Sequence, residues 1–136
     1  MKINKVNEEF VKIYFKTKKV FYQKVNKYVY LSDSYRIYRL NEENCLLDTS
    51  KFIEAPLEKF MQDNQYNEGI ITNEFVVDKY KLRVIKTFEE NEIIYVNDNF
   101  LKLFDDPHVM VKDKISPIYV YEKDEIVGML LPVKVI

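Results

Sequence analysis

Side chains able to do acid–base, nucleophilic or metal chemistry are few in this 136-residue chain, and they are poorly grouped. The single histidine, His108, follows Asp105-Asp106-Pro107. An imidazole beside two carboxylates can exchange a proton or hold a metal, but one histidine in a turn that ends a helix reads as structural. The single cysteine, Cys45, has no adjacent Lys, Arg or His to lower its pKa and reads as inert. It forms no internal disulfide, and with one histidine it makes no four-ligand zinc site. Glycine occurs only at Gly69 and Gly128, which excludes a glycine-rich phosphate loop or dinucleotide fingerprint. The pairs Glu42-Glu43 and Glu89-Glu90 read as solvated turns. No catalytic residue, metal or cofactor is expected, and the chain does not read as an enzyme.

What stands out instead is charge distribution. Residues 1–40 carry ten Lys/Arg against three acids, a net +7, and the overall charge of −1 leaves −8 on the other 96 residues. A polyanion is drawn to the first segment and repelled by much of the rest. Residues 4–16 have helical periodicity, with Ile3, Val6, Phe10, Ile13 and Tyr14 on one face. Lys5, Lys12, Lys16 and Lys19 gather on the other side, interrupted by Glu9. Such a stripe suits phosphates and equally suits a solvated helix face.

Other elements must hold that helix in place. Tyr28–Leu31 and Tyr35–Leu40 flank the turn formers Ser32-Asp33-Ser34 and predict a hairpin, after a strand beginning at Val20. Pro56 opens a predicted short helix over 56–63, with Leu57, Phe60 and Met61 inward. Asn64 to Gly69 reads as a break. Strands follow at 69–77, 80–87 and 92–96, with Glu89-Glu90-Asn91 as a turn. Asn97 or Asp98 caps a short helix carrying Phe100, Leu101, Leu103 and Phe104. Strands at 108–112, 117–121 and 126–135 complete the chain. No linker composition divides it, so one domain over residues 1–136 is expected. Tyr28, Tyr30, Tyr38, Tyr95, Tyr119 and Tyr121 alternate along strands, where they pack a sheet, cover an oligomer surface or stack bases. The fold class is α+β: two βαβββ-like halves, with helices on one face of a mostly antiparallel sheet.

Leu31-Ser32-Asp33-Ser34-Tyr35-Arg36-Ile37 resembles the Thr-Asp-Gly/Ser-His-Arg-Leu signature of bacterial DNA sliding clamps. Ile126 to Val135 resembles the clamp C-terminal strand, with its apolar-Met-Pro-Met-Arg-Leu ending. Ile93 to Val135 is similar to a whole clamp half-domain, and the basic opening helix resembles small clamp-like proteins of phages. Tyr35 stands where clamps carry His, Val133 replaces the second Met, and Lys134 replaces Arg.

The resemblance implies a non-enzymatic processivity-factor-like protein of phage or mobile-element type, acting in DNA replication within a bacterial cytoplasm. A lone clamp-like domain encircles DNA only as a homo-oligomer. Duplex DNA would be held non-specifically by Lys5, Lys12, Lys16 and Lys19. Asp98, Asp105 and Asp106 outweigh Lys102 on the second helix and argue against a DNA channel there. Short motifs of replication or host proteins would dock on Ser32, Ser34, Tyr35, Arg36, Ile37, Met129, Leu131 and Pro132. The alternative is a clamp-fold interaction protein that binds and inhibits a host protein without encircling DNA. No apolar run reaches membrane-spanning length and no signal peptide opens the chain, so a cytoplasmic protein with no membrane partner is expected.

Overall fold

A computed structural model describes residues 1–62, 66–88 and 92–135. Helix α1 (Ile3–Thr17) opens the chain, with Val6 and Phe10 fully buried. It ends at Lys18, whose backbone is left-handed and whose N–H donates to the Tyr14 carbonyl. Strands β1 (Phe21–Val25), β2 (Tyr28–Ser32) and β3 (Arg36–Asn41) form an antiparallel meander. Its second turn is built by side chains. The Ser32 hydroxyl accepts from the Ser34 N–H and the Asp33 carboxylate from the Tyr35 N–H, which leaves Ser34 at φ 82°.

The two-residue β4 (Ile53–Glu54) lies parallel to β1 at one edge. Next come β5 (Asn67–Val77), β6 (Lys81–Thr87) and β7 (Ile93–Asn97). The short α2 (Asp98–Leu101) is capped by the Asn97 side chain, which accepts from the Asn99 N–H. Strands β8 (His108–Val111), β9 (Ile118–Glu122) and β10 (Glu125–Leu130) form a second meander. The strand order is β4-β1-β2-β3-β10-β9-β8-β5-β6-β7, antiparallel except at β4. Among the described residues the fold is therefore α+β, with one mostly antiparallel sheet of ten strands and two α-helices.

That sheet is strongly curled. Five inter-strand steps separate β10 from β7, about 24 Å if flat. Yet the Val133 N–H donates to the Tyr95 carbonyl of β7 at 2.8 Å. Val133 lies only three residues beyond Leu130, a reach of about 10 Å, so the sheet must bend back on itself. Its inner face encloses one apolar cluster, to which Leu31 and Tyr38, Ile118 and Val120, and Ile94 and Val96 all contribute. Val6 and Phe10 from α1 and Leu101 from α2 enter the same cluster, so both helices pack on that face. Gly128 is required there: a Cβ would overlap the Phe104 ring.

Alternation sends the next residues to the opposite face, where Tyr30, Ile37, Tyr119 and Met129 form a second cluster. Leu57 and Met61 cover it. This explains the first departure from the sequence reading. The four-residue spacing of those two side chains suggests a helix over 56–63, but only the 3-10 turn Glu58–Phe60 forms. Leu57 and Met61 reach the sheet from the two ends of that turn, whereas Phe60, expected inward, is 48% exposed. The expected strand over 126–135 stops at Leu130, because Pro132 has no N–H for a ladder. The break expected over 64–69 is already strand from Asn67. Leu103 and Phe104 are buried from the turn after α2, not from the helix itself. The expected turn Glu89-Glu90-Asn91, and Asn64, lie outside the described residues.

Candidate DNA and partner-binding surfaces

Lys5, Lys12 and Lys16 project from the solvent side of α1, and all three are exposed. At 1.5 Å per residue they span about 16 Å of helix. Lys19 is exposed too, but stands beyond the left-handed Lys18 that ends the helix. None of the four makes an ion pair among the described residues. Glu9, which interrupts the stripe, is engaged inward by Arg36 at 3.2 Å.

The acids of the second helix are largely committed. Asp98 is buried, and its Oδ1 accepts from the Arg83 guanidinium at 3.1 Å. Asp105 lies 2.6 Å from the Met1 amino group, and that hydrogen bond holds its carboxyl below the usual range. Asp106 is exposed. Lys2 Nζ donates to the Lys102 carbonyl at 2.5 Å, which brings Lys102 beside the start of the α1 stripe. Of these three acids only Asp98 lies on α2; Asp105 and Asp106 follow it in the turn, and Asp106 makes no ion pair among the described residues.

The two segments expected to dock peptides are neighbours. Ile37 faces Met129 across the β3–β10 ladder, and the Leu131 N–H donates to the Tyr35 carbonyl at 3.0 Å. Their side chains divide between faces. Ile37 and Met129 are buried beneath Leu57 and Met61. Ser32 is buried, Ser34 and Tyr35 are exposed, and Leu131 and Pro132 are half-buried.

Arg36 sits on the inner face, only 2% exposed. Its Nε donates to Asp33 at 3.0 Å, its Nη2 to Glu9 at 3.2 Å and its Nη1 to the Tyr38 hydroxyl at 3.4 Å. Burial works against the guanidinium charge. The phenol of Tyr38 and the carboxylates of Asp33 and Glu9 more than offset it, and the pKa is raised. Arg36 therefore ties β3, α1 and the Ser32–Ser34 turn together. A strand pattern with Arg36, Tyr38 and Leu40 on one side, and Asp33 three residues before, was the signal for this role.

Remaining chemistry is sparse. His108 Nδ1 is 3.9 Å from Glu68, both exposed. Burial pushes the Cys45 thiol pKa up, which disfavours the reactive thiolate. Among the described residues no three His, Cys, Asp or Glu side chains are grouped to hold a metal. No helix among them is long and apolar enough to cross a membrane. Tyr30, Tyr38 and Tyr119 are buried, while Tyr28, Tyr95 and Tyr121 are half-buried. Comparison with protein-family models, curated proteins and solved structures gives no match.

Proposed function

We propose that this chain is a non-enzymatic, sliding-clamp-like protein that holds duplex DNA without sequence preference and self-associates to do so. The observation that carries this reading is the row of exposed lysines on α1, without an ion pair among the described residues, on a helix anchored by Val6 and Phe10. A rigid scaffold presenting lysines to phosphates gives binding that is non-specific, salt-sensitive and compatible with sliding. Topology lends support. Each of the two meanders is preceded by a helix, and the two meet edge to edge at the β3–β10 junction, with β4 beyond one and β5, β6 and β7 beyond the other. The expected halves are βαβββ-like, and the first lacks the leading strand that β7 supplies to the second. Duplex binding as a function of salt, measured with solution mass, tests the proposal. Salt-sensitive binding by an oligomer is expected; a monomer that ignores duplex DNA at low salt removes it.

One feature favours the alternative, a clamp-fold protein that inhibits a host protein. Phe15 is 71% exposed and Val11 40% exposed on the α1 flank beside the lysines. Apolar groups next to cations suit a protein partner better than a phosphate backbone. Under this reading Phe15→Asp abolishes a stable complex with a host nuclease or polymerase, and duplex DNA is not bound.

A further inference from the structure

We propose that the aromatic row Phe15, Tyr14, Phe52 and Tyr22, at the C-terminal end of α1, is a stacking site for unpaired nucleotides, through which the protein grips single-stranded nucleic acid. The proposal rests on the reading of α1 as a nucleic-acid surface and adds a second kind of contact to it.

The row is assembled by a turn. The left-handed Lys18 ends α1 and sends the chain into β1. Strand β4 then lies parallel to β1, with Phe21 opposite Ile53 and Tyr22 opposite Glu54. Phe52, just ahead of β4, is thereby brought between Tyr14 and Tyr22. Ring centres lie 6.3 Å apart from Phe15 to Tyr14, 5.6 Å from Tyr14 to Phe52 and 6.4 Å from Phe52 to Tyr22. The planes of these pairs are inclined by 62°, 52° and 67°, so none of the three contacts is a face-to-face stack. Tyr14, Phe52 and Tyr22 are half-buried against the core, whereas Phe15 is 71% exposed. Core packing explains three of the rings but not Phe15, whose apolar surface is held in water at a cost.

Charge surrounds the row. From Phe10 to Ser32 the chain has six lysines and no acid. Lys18 Nζ lies 4.8 Å from the centre of the Tyr14 ring and 5.3 Å from that of Phe15, a cation shared by both. Lys16 and Lys19 are exposed beside it, and none of the three lysines makes an ion pair among the described residues. Acids at the margins are few. Glu54 accepts from the Tyr22 hydroxyl at 3.3 Å, and Asp48 accepts from the Ser50 N–H at 3.1 Å. Glu8 stands about 10 Å back along α1 from Phe15.

Such a rim attracts a polyanion, and the rings select which one. In a duplex the base faces are spent on one another. An unpaired base has free faces, and stacking on aromatic side chains beside cations holds it whatever its identity. An acidic peptide would satisfy the lysines but offers no planar face to the rings.

The test uses the intact protein and three labelled probes, followed by fluorescence anisotropy. One is a blunt duplex of about 30 base pairs. The second is the same duplex with a thymidine overhang of about eight nucleotides, within the span of single-strand sites. The third carries that overhang without its bases. The proposal expects the overhang to tighten binding about tenfold over the blunt duplex, and the abasic overhang to lose most of the gain. Phe15→Leu keeps an apolar side chain without a ring; it should lose the gain and leave blunt-duplex affinity unchanged. Phe15→Tyr should keep the gain. Circular dichroism checks that both surface variants retain the fold. Equal binding of the blunt and overhanging probes, an undiminished gain with the abasic overhang, or an undiminished gain in Phe15→Leu overturns the proposal, the last by leaving Phe15 to a protein partner. The probes also separate this proposal from the duplex reading. Blunt binding with no overhang gain overturns the proposal alone. Overhang binding with no blunt binding supports it and overturns the duplex reading, and silence of all three probes overturns both.

Discussion

The Arg36 guanidinium lies 3.9 Å from the centre of the Phe100 ring, a cation–π contact that joins β3 to α2 inside the curled sheet. The same guanidinium bonds Asp33 in the β2–β3 turn and Glu9 on α1. One side chain thus fixes the position of the helix that carries the lysine row. Arg36→Met removes the charge and strands Asp33, whose side chain is 12% exposed. A loss of about 3 kcal/mol in unfolding free energy is expected, measured by urea denaturation. Arg36→Lys should recover only part, because an ammonium lacks the planar fork and the stacking face. Near-neutral stability of Arg36→Met would contradict this structural role.

Gly128 should tolerate no side chain. Strand β10 passes so close to Phe104 that a Cβ overlaps the ring. Gly128→Val is expected to destabilise by about 3 kcal/mol through overpacking. Combining it with Phe104→Ala should restore part of that loss relative to the sum of the two single changes, in a double-mutant cycle. Strict additivity would mean that the two groups do not meet.

Alkaline stability should depend on Tyr38. Its phenol is fully buried and donates to the Phe100 carbonyl at 2.8 Å. Burial pushes its pKa well above the usual value, although Arg36 pulls the other way. The folded-state pKa exceeds the unfolded one, so this contribution is complete below about pH 10 and is lost as pH rises toward the folded value. Absorbance titration should show one tyrosine ionising only as the protein unfolds. Tyr38→Phe should flatten the alkaline decline while costing about 1 kcal/mol at neutral pH from lost hydrogen bonds.

Local patterns were legible where neighbours along the chain decide the structure. Helical periodicity over residues 4–16 gave α1, Ser32-Asp33-Ser34 gave the β2–β3 hairpin, and Asn97 gave the cap of α2. Decisions made by distant residues were not legible. Leu57 and Met61 have helical spacing, but the sheet face they cover makes them a strap. Arg36 is expected from the sequence to meet a partner's peptide, yet α1 and α2 close over it and leave it 2% exposed. The curl that brings Val133 to Tyr95 has no signature in strand alternation, which fixes faces and not curvature. The lysine row was visible, whereas the pairing of Asp98 with Arg83 required the folded chain.

Duplex affinity as a function of salt tests the central claim most directly. Sedimentation with a duplex of about 30 base pairs, between about 50 and 200 mM salt, reports both affinity and assembly state. Four lysine–phosphate contacts per copy predict a log–log slope near −3.6 per copy, and Lys12→Glu/Lys16→Glu should reduce its magnitude by about two while leaving the oligomer intact. No complex at the lowest salt, or a slope unchanged in that variant, would contradict the assignment of α1 to DNA.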